Sequence, residues 1–407
     1  MIPVTSHADA RTNGLPAPLT DRALFELLQP LRRHLHQHPE IGFALDHTSQ
    51  HVRAWLEAHG FAVTHPIAKT GFFVEIHGAH PGPMLGYRAD MDALPIQDAK
   101  DVPYASTIPG RAHLCGHDAH TAIACGVALL LREHRDDLHG GVRVFFQPNE
   151  ESAPSGAPVM IEEGVLDGLS AVFALHVDPA LSAGKFGLRV GPLTAAATMF
   201  EVRVKSGLAG HSARPHETVD TIWLATQILQ QYYQLAGRVT DARKTSILTA
   251  CRFEGGDAYN VIPPEVMFGG TLRTASKGTH RMLLEKLRRV AGALGALYGA
   301  DVDVEFGDTL PPVVNNAACI DTVRKAATAR YGQESVRDLR LPSMGGEDFS
   351  FYLETLPGAM VRIGSSCSPE TRYPLHHALF DLDETAMPLA ARLMCDTLLS
   401  YARTNGL

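Results

Sequence analysis

Residues 142–151 read Val142-Arg143-Val144-Phe145-Phe146-Gln147-Pro148-Asn149-Glu150-Glu151. Valine and phenylalanine, stopped by a proline, spell a short strand, and a pair of carboxylates stands just past its end. Upstream, residues 119–138 carry the apolar periodicity of a long helix; downstream come a short helix over 157–163, stopped by Gly164, and a strand over 171–176. Alternation of this kind is the grammar of an α/β domain. Toward the N-terminus it continues, with helices over 24–36, kinked at Pro30, and 48–59, and strands over 71–76 and 84–88.

At Gly191-Pro192 the order changes. A strand over 198–205, a helix over 219–235, strands over 247–253 and 265–273, a helix over 281–297 and a strand over 302–306 follow. That β-α-β-β-α-β order is the ferredoxin-like unit. After Pro311-Pro312 the α/β pattern resumes with a helix over 320–331, a strand over 360–363 and a closing helix from Glu384 to Ala402, capped by Asp383. The reading is therefore an α/β domain in two pieces, 19–191 and 308–407, interrupted by an inserted domain at 192–307. A length of 407 residues suits more than one domain.

Composition excludes several function classes. Lys and Arg total 36 against 44 Asp and Glu, a formal charge of -8 with no dense basic cluster, which argues against a nucleic acid partner. The longest apolar run, 122–131, is far short of the ~20 residues a bilayer-spanning helix needs, so no membrane span is expected. Residues 1–18 lack a basic stretch followed by an apolar one, read as a polar tail and point to a cytoplasmic protein. The six cysteines are scattered without a C-x-x-C pair, as expected of reduced thiols.

In open α/β sheets ligands bind beyond the carboxyl ends of the strands. The strand over 84–88 runs into Asp90 and Asp92, that over 142–147 into Glu150 and Glu151, and that over 171–175 delivers His176. Between the first two lies His113-Leu114-Cys115-Gly116-His117-Asp118-Ala119-His120, immediately before the long helix. Thiolate, imidazole and carboxylate are the donors a divalent transition ion takes. Most of the 21 histidines are ordinary surface or half-buried residues, His34, His36, His38, His51 and His59 among them. Cys115, His117, Glu151 and His176 point to a metal because they stand together at successive strand ends. Adjacent side chains diverge, so Glu151 can bind metal while Glu150 faces substrate; a solvated acidic turn is the plainer alternative. Asp90 and Asp92 either end a strand in a turn before Pro95 or orient ligand imidazoles.

Six segments, in order, carry a resemblance to a known family: Arg88-Ala89-Asp90-Met91-Asp92-Ala93-Leu94-Pro95, Cys115-Gly116-His117-Asp118, Gln147-Pro148-Asn149-Glu150-Glu151, Leu175-His176-Val177, Gly346-Glu347-Asp348-Phe349 and Leu375-His376. Together they resemble the co-catalytic, di-metal metallopeptidases, and most closely the amidohydrolase branch with hippurate hydrolase, auxin-conjugate hydrolases and N-acyl-amino-acid deacylases. The resemblance spans nearly the whole chain, and in that family the inserted domain is a lid and dimerisation module. It implies two divalent ions, zinc, manganese, cobalt or nickel, held by Cys115, His117, Glu151, His176 and His376, with Cys115 bridging and Glu150 as general base. His376 is preferred to His377 because the family's ligand directly follows leucine. It further implies that His211 and Asn260 reach the partner subunit's active site in a homodimer and stabilise the oxyanion, and that Arg273 grips the substrate carboxylate. Read from their surroundings alone, His211 and Asn260 could equally be turn residues and Arg273 a solvated charge. Asn149, Ser152 and Gly345 depart from the family's more frequent Ala, Gly and Ser, and none removes a ligand.

The expected reaction is hydrolysis of an N-acyl amino acid to a carboxylic acid and a free amino acid, by water activated between two cations. A dipeptidase or carboxypeptidase of the same fold is one rival; it would need an acidic group near the acyl pocket, which the motifs do not show. A metal- or ligand-binding protein without turnover is the other. Retention of Glu150, which no metal needs if Glu151 is the ligand, speaks against that second rival.

Overall fold

The computed structural model describes residues 19–405; the polar tail read over 1–18 lies outside the described residues. The chain opens with α1 (Asp21–Gln37), whose N-cap Thr20 accepts from the Ala23 amide at 3.2 Å. Leu24, Leu28, Leu31 and Leu35 form its buried stripe. Pro30 sits inside this helix on the exposed side, where the Glu26 carbonyl that it leaves without an amide partner can bond to water. Next come α2 (Asp46–Ala58), β1 (Val63–Ile67), β2 (Gly71–His77), β3 (His80–Asp90) and α3 (His117–Glu133). Helix α3 is buried from His117 to Leu131, being enclosed rather than amphipathic. It ends at Glu133 rather than at 138, because the polar run His134-Arg135-Asp136-Asp137 turns instead, the Asp137 amide bonding the His134 carbonyl at 2.9 Å in place of an i→i−4 bond. Then follow β4 (His139–Gln147), α4 (Gly156–Glu162), β5 (Leu169–Ser182) and β6 (Phe186–Leu188).

The stretch after Gly191 builds a second sheet from β7 (Ala196–Lys205), β8 (Ser246–Glu254), β9 (Glu265–Thr274) and β10 (Asp301–Phe306), with α5 (Thr221–Arg238) and α6 (Lys277–Tyr298). All its pairings are antiparallel, in the order β8-β9-β7-β10. Burial alternates along β7 and β10, as befits a sheet with one covered face. Phe200, Val202, Val266 and Phe268 pack there against Leu224, Ile228, Leu283 and Leu287 of the two helices, a core separate from that of the first sheet. The chain then returns through α7 (Ala317–Tyr331), β11 (Val336–Asp338), α8 (Phe349–Thr355), β12 (Gly358–Ser366) and α9 (Ala386–Asn405). Asp383, expected as the cap of the last helix, accepts from the Thr385 amide at 3.0 Å.

Among the described residues the first sheet has eight strands in the order β1-β2-β4-β3-β5-β12-β6-β11. Its centre, β4-β3-β5-β12, is parallel, so four carboxyl ends point to one rim. The short strands β1, β6 and β11 were not expected from sequence.

One histidine departs from the surface or half-buried setting expected, and a group of others, half-buried or exposed, gathers in one place. His36 is fully buried, with Nδ1 2.6 Å from Asp118 and Nε2 3.3 Å from Asp98, beside a buried Arg32 whose Nε lies 2.8 Å from Asp118. His34, His38, His47 and His51 gather where α1 meets α2, the His34 and His51 rings stacking at 3.7 Å. Burial, then His51, His38 and His47, pull the His34 imidazole down to about 4. A folded-state value below the ordinary 6.5 leaves this contribution to stability whole above pH 6.5 and removes it as pH falls toward 4. His34→Gln is expected to flatten the stability profile across that window, by roughly 1 kcal/mol because the ring is partly in water. Urea unfolding at a series of pH values measures this, and a profile unchanged from the parent would count against it.

Candidate metal centre

Gly116 makes the start of the centre possible. It holds φ +90°, and a Cβ there would come within 2.4 Å of Val177 Cγ2, so only glycine can seat Cys115 and His117 on either side of this turn. His117 Nδ1 donates to the Asp92 carbonyl at 2.8 Å and His176 Nδ1 to the Val177 carbonyl at 2.8 Å. Both imidazoles therefore aim Nε2 inward as an acceptor. Cys115 Sγ lies 3.4 Å from His176 Nε2.

Five side chains form two interleaved groups, Cys115 with His117 and His176, and Cys115 with Glu151 and His376, the donor atoms of each lying within 4.8 Å of one another. Cys115 belongs to both. Glu151 Oε1 stands 3.3 Å from His376 Nε2 and 3.9 Å from His117 Nε2. His376 adopts φ +67°, with its amide donating to the Leu114 carbonyl at 2.8 Å. His377 turns away, stacking on Tyr373 at 4.7 Å with Nδ1 accepting from the Leu379 amide.

Do these residues fit cations? His117 Nε2 and Glu151 Oε1 are buried acceptors without a hydrogen bond, beside a thiol and two further imidazoles. Orphaned buried polar atoms are costly, and here they face one another, as they would around divalent ions. The surrounding charge agrees. Burial opposes a charged His117, yet Asp90 and Cys115 more than offset it and hold the imidazole well above its ordinary value. Burial likewise lifts the Cys115 thiol, with Glu151 adding to it, so cations entering the site would displace protons. Burial, then Arg362 and His120, keep His176 low and neutral.

The aspartates act differently from one another. Asp92 does not orient His117 through its carboxylate alone: Oδ1 accepts the Glu150 amide and Oδ2 the Glu151 amide, each at 3.0 Å, so one side chain fixes both glutamates. Asp90 accepts His120 Nδ1 at 2.7 Å, while His120 Nε2 accepts the Val177 amide at 3.0 Å. With both nitrogens engaged, His120 braces the site. Asn149, at φ +57°, accepts the Ser152 hydroxyl on Oδ1, so two departures from the family pattern are hydrogen-bonded to each other and shape the turn that presents the glutamates.

Glu150 lies outside the thiolate groups, with Oε2 3.9 Å from His117 Nε2 and Oε1 accepting the Asp348 amide at 3.4 Å. Burial, then Glu347, Glu151 and Asp348, push its carboxyl well above the usual range. Glu347 and Asp348 had been quoted in a motif without a role. Asp348 accepts Arg88 Nη2 at 2.7 Å and Gln147 Nε2 at 2.6 Å, while Arg88 Nη1 donates to Asp90 and its Nε to Gln147 at 2.9 Å.

His211 and Asn260 belong to none of the candidate metal-ligating groups among the described residues. Both are exposed and adjacent to each other, the Ser212 amide donating to the Asn260 carbonyl at 3.1 Å. Arg273, half-buried, donates from Nη1 to the Met344 carbonyl at 2.9 Å.

The description of peptidase family M20/M25/M40 matches residues 86–400. This chain belongs to that family. It is 38% identical to the N-acetylcysteine deacetylase of Bacillus subtilis (strain 168), over 93% of this chain and 97% of the relative. It is 35% identical to IAA-amino acid hydrolase ILR1-like 4 of Arabidopsis thaliana, over 91% of this chain and 84% of that protein. A solved structure, the YXEP protein of Bacillus subtilis, described as a dinuclear metal-binding peptidase of family M20, superposes with a TM-score of 0.83 at 35% identity, over 95% of this chain and 100% of the other. Membership makes the chain a metal-dependent amidohydrolase with an α/β fold. No helix among the described residues is long and apolar enough to cross a membrane.

Proposed function

We propose that the enzyme hydrolyses the amide bond of N-acyl amino acids, releasing a carboxylic acid and a free amino acid, with Cys115, His117, Glu151, His176 and His376 holding two divalent ions. The observation that carries this is the sharing of Cys115 between two donor groups while Glu150 stands beside them, close to the donors yet apart from the thiol. Both relatives are named for acylated amino acids, which supports the substrate class. Bound divalent ions lower the pKa of water and polarise an amide carbonyl. Glu150 then takes the proton of the attacking water and returns it to the departing amine.

In this reading residues 19–191 and 308–407 form the catalytic domain, and 192–307 a ferredoxin-like lid through which two copies form a homodimer. His211 and Asn260, exposed on the lid, serve the partner subunit's site by donating to the developing oxyanion, and Arg273 holds the substrate carboxylate. Thiolate and imidazole donors suit zinc, while manganese, cobalt and nickel tolerate the glutamate. The protein is assigned to the cytoplasm.

The deciding experiment quantifies amine release from N-acetylmethionine and hippurate by protein of measured metal content. Release is expected with about two equivalents bound, lost on treatment with a chelator and restored by added cation. Absence of release from any N-acyl amino acid at full metal loading would overturn the reading.

A further inference from the structure

One row of side chains crosses the parallel centre of the sheet, at the last residues of β3 and β4 and within β5 and β12. Asp90 pairs with Gln147, Arg88 pairs with Ala174, which sets Asp90 level with His176, and His176 pairs with Arg362. Gln147 and Asp90 are engaged by Arg88, and His176 belongs to a metal-ligating group. Arg362 alone in the row has a side chain with no hydrogen bond or ion pair to any described residue.

Two other arginines are engaged by backbone carbonyls. Arg189 donates to the carbonyls of Pro192, Leu339 and Arg340 as a structural clamp, and Arg273 is tied to Met344. Arg362 is half-buried, close enough for its charge to act on the His176 imidazole, and packs at its base against Gly187 of the next strand, where a side chain would crowd it. A partly desolvated guanidinium beside a site that itself collects cations is unfavourable unless an anion lies between them. The guanidinium fork matches a carboxylate in two parallel bonds.

We propose that Arg362 receives a second carboxylate of the substrate, beyond the one that Arg273 holds, and so selects N-acyl amino acids with two acidic groups. This rests on the hydrolase reading above. The second carboxylate can belong to the amino acid or to the acyl group, and paired substrates separate the two: N-acetylglutamate against N-acetylglutamine, and N-succinylmethionine against its terminal amide.

In at least one pair the acid is expected to be favoured roughly 10- to 100-fold in kcat/KM, as a charged hydrogen bond allows. Arg362→Leu removes that preference through KM, with kcat for N-acetylmethionine within about twofold, and Arg362→Lys keeps part of it. Equal preference in the parent enzyme, persistence in Arg362→Leu, or an equal loss for acid and amide would each overturn the proposal. Calorimetry with glutarate on metal-loaded protein supplies a readout free of turnover, with binding expected for the parent and at least tenfold weaker binding for Arg362→Leu. If no N-acyl substrate is turned over, the hydrolase reading falls, and glutarate binding that is absent or unaffected by Arg362→Leu overturns this proposal independently.

Discussion

Glu150→Gln is expected to lower kcat by about 10²- to 10⁴-fold while leaving the metal content at that of the parent. The substitution keeps the shape of the side chain and removes its ability to take a proton. The amide that Asp92 anchors is a backbone group, so the turn through Glu150 and Glu151 keeps its hold at 3.0 Å on both. Glu150 also lies beyond the two thiol-containing groups, which is why cation binding should survive. Amine release and metal content, measured on the same preparation, provide the test. Loss of one metal equivalent would make Glu150 a ligand, and an equally active variant would remove it from the chemistry. KM should change little, since a residue that acts on the reacting water contributes more to the transition state than to the bound substrate.

Much of the α/β layout was legible because its helices and central strands carry strong periodicities. Strands β1, β6 and β11 were not, being three to five residues long and stabilised by the strands they pair with rather than by their own pattern. Helix α3 was overextended because sequence shows where apolar periodicity could continue, whereas the structure lets the charged run after Glu133 turn toward β4.

The residues proposed as ligands stood out for a different reason: they sit at or near strand ends, within motifs of unusual composition. The bracing residues lacked such a signal. His120 differs from His117 only in that both its ring nitrogens are engaged, and no spacing rule reports that. Arg88 looks like a polar interruption of a strand until Asp348, 260 residues away in sequence, is folded against it. Likewise, the choice between His376 and His377 could not come from composition; His376, at a positive φ, places Nε2 3.3 Å from Glu151, while Tyr373 holds its neighbour by stacking.

Arg88→Met is expected to destabilise the protein by about 3–5 kcal/mol at neutral pH, as breaking a buried ion-pair network does. Arg88 is fully buried, and burial opposes its charge, but Asp90, Glu347 and Asp348 reverse that balance and hold the guanidinium firmly protonated. Methionine fills much of the same volume, so the loss is one of charge and not of packing. Three buried carboxyl groups then face each other without their cation. Burial already lifts Asp348 to about 7, against the pull of Arg88, so it can shed its charge readily once Arg88 is gone. Asp90 behaves oppositely: His117 and Arg88 overcome its burial and hold it well below the usual range, and removing Arg88 raises it. Raised folded-state values favour the protonated forms, so the deficit of the variant should be smallest near pH 4 and grow as pH rises to 7. Asp348→Asn in the same chain should recover part of the loss, because it deletes one of the stranded charges and can still bond Gln147. Urea unfolding of metal-free parent, single and double variants at both pH values decides the matter. A deficit below about 1 kcal/mol at pH 7, or one that shrinks as pH rises, would mean that the carboxylates are stabilised by something other than Arg88.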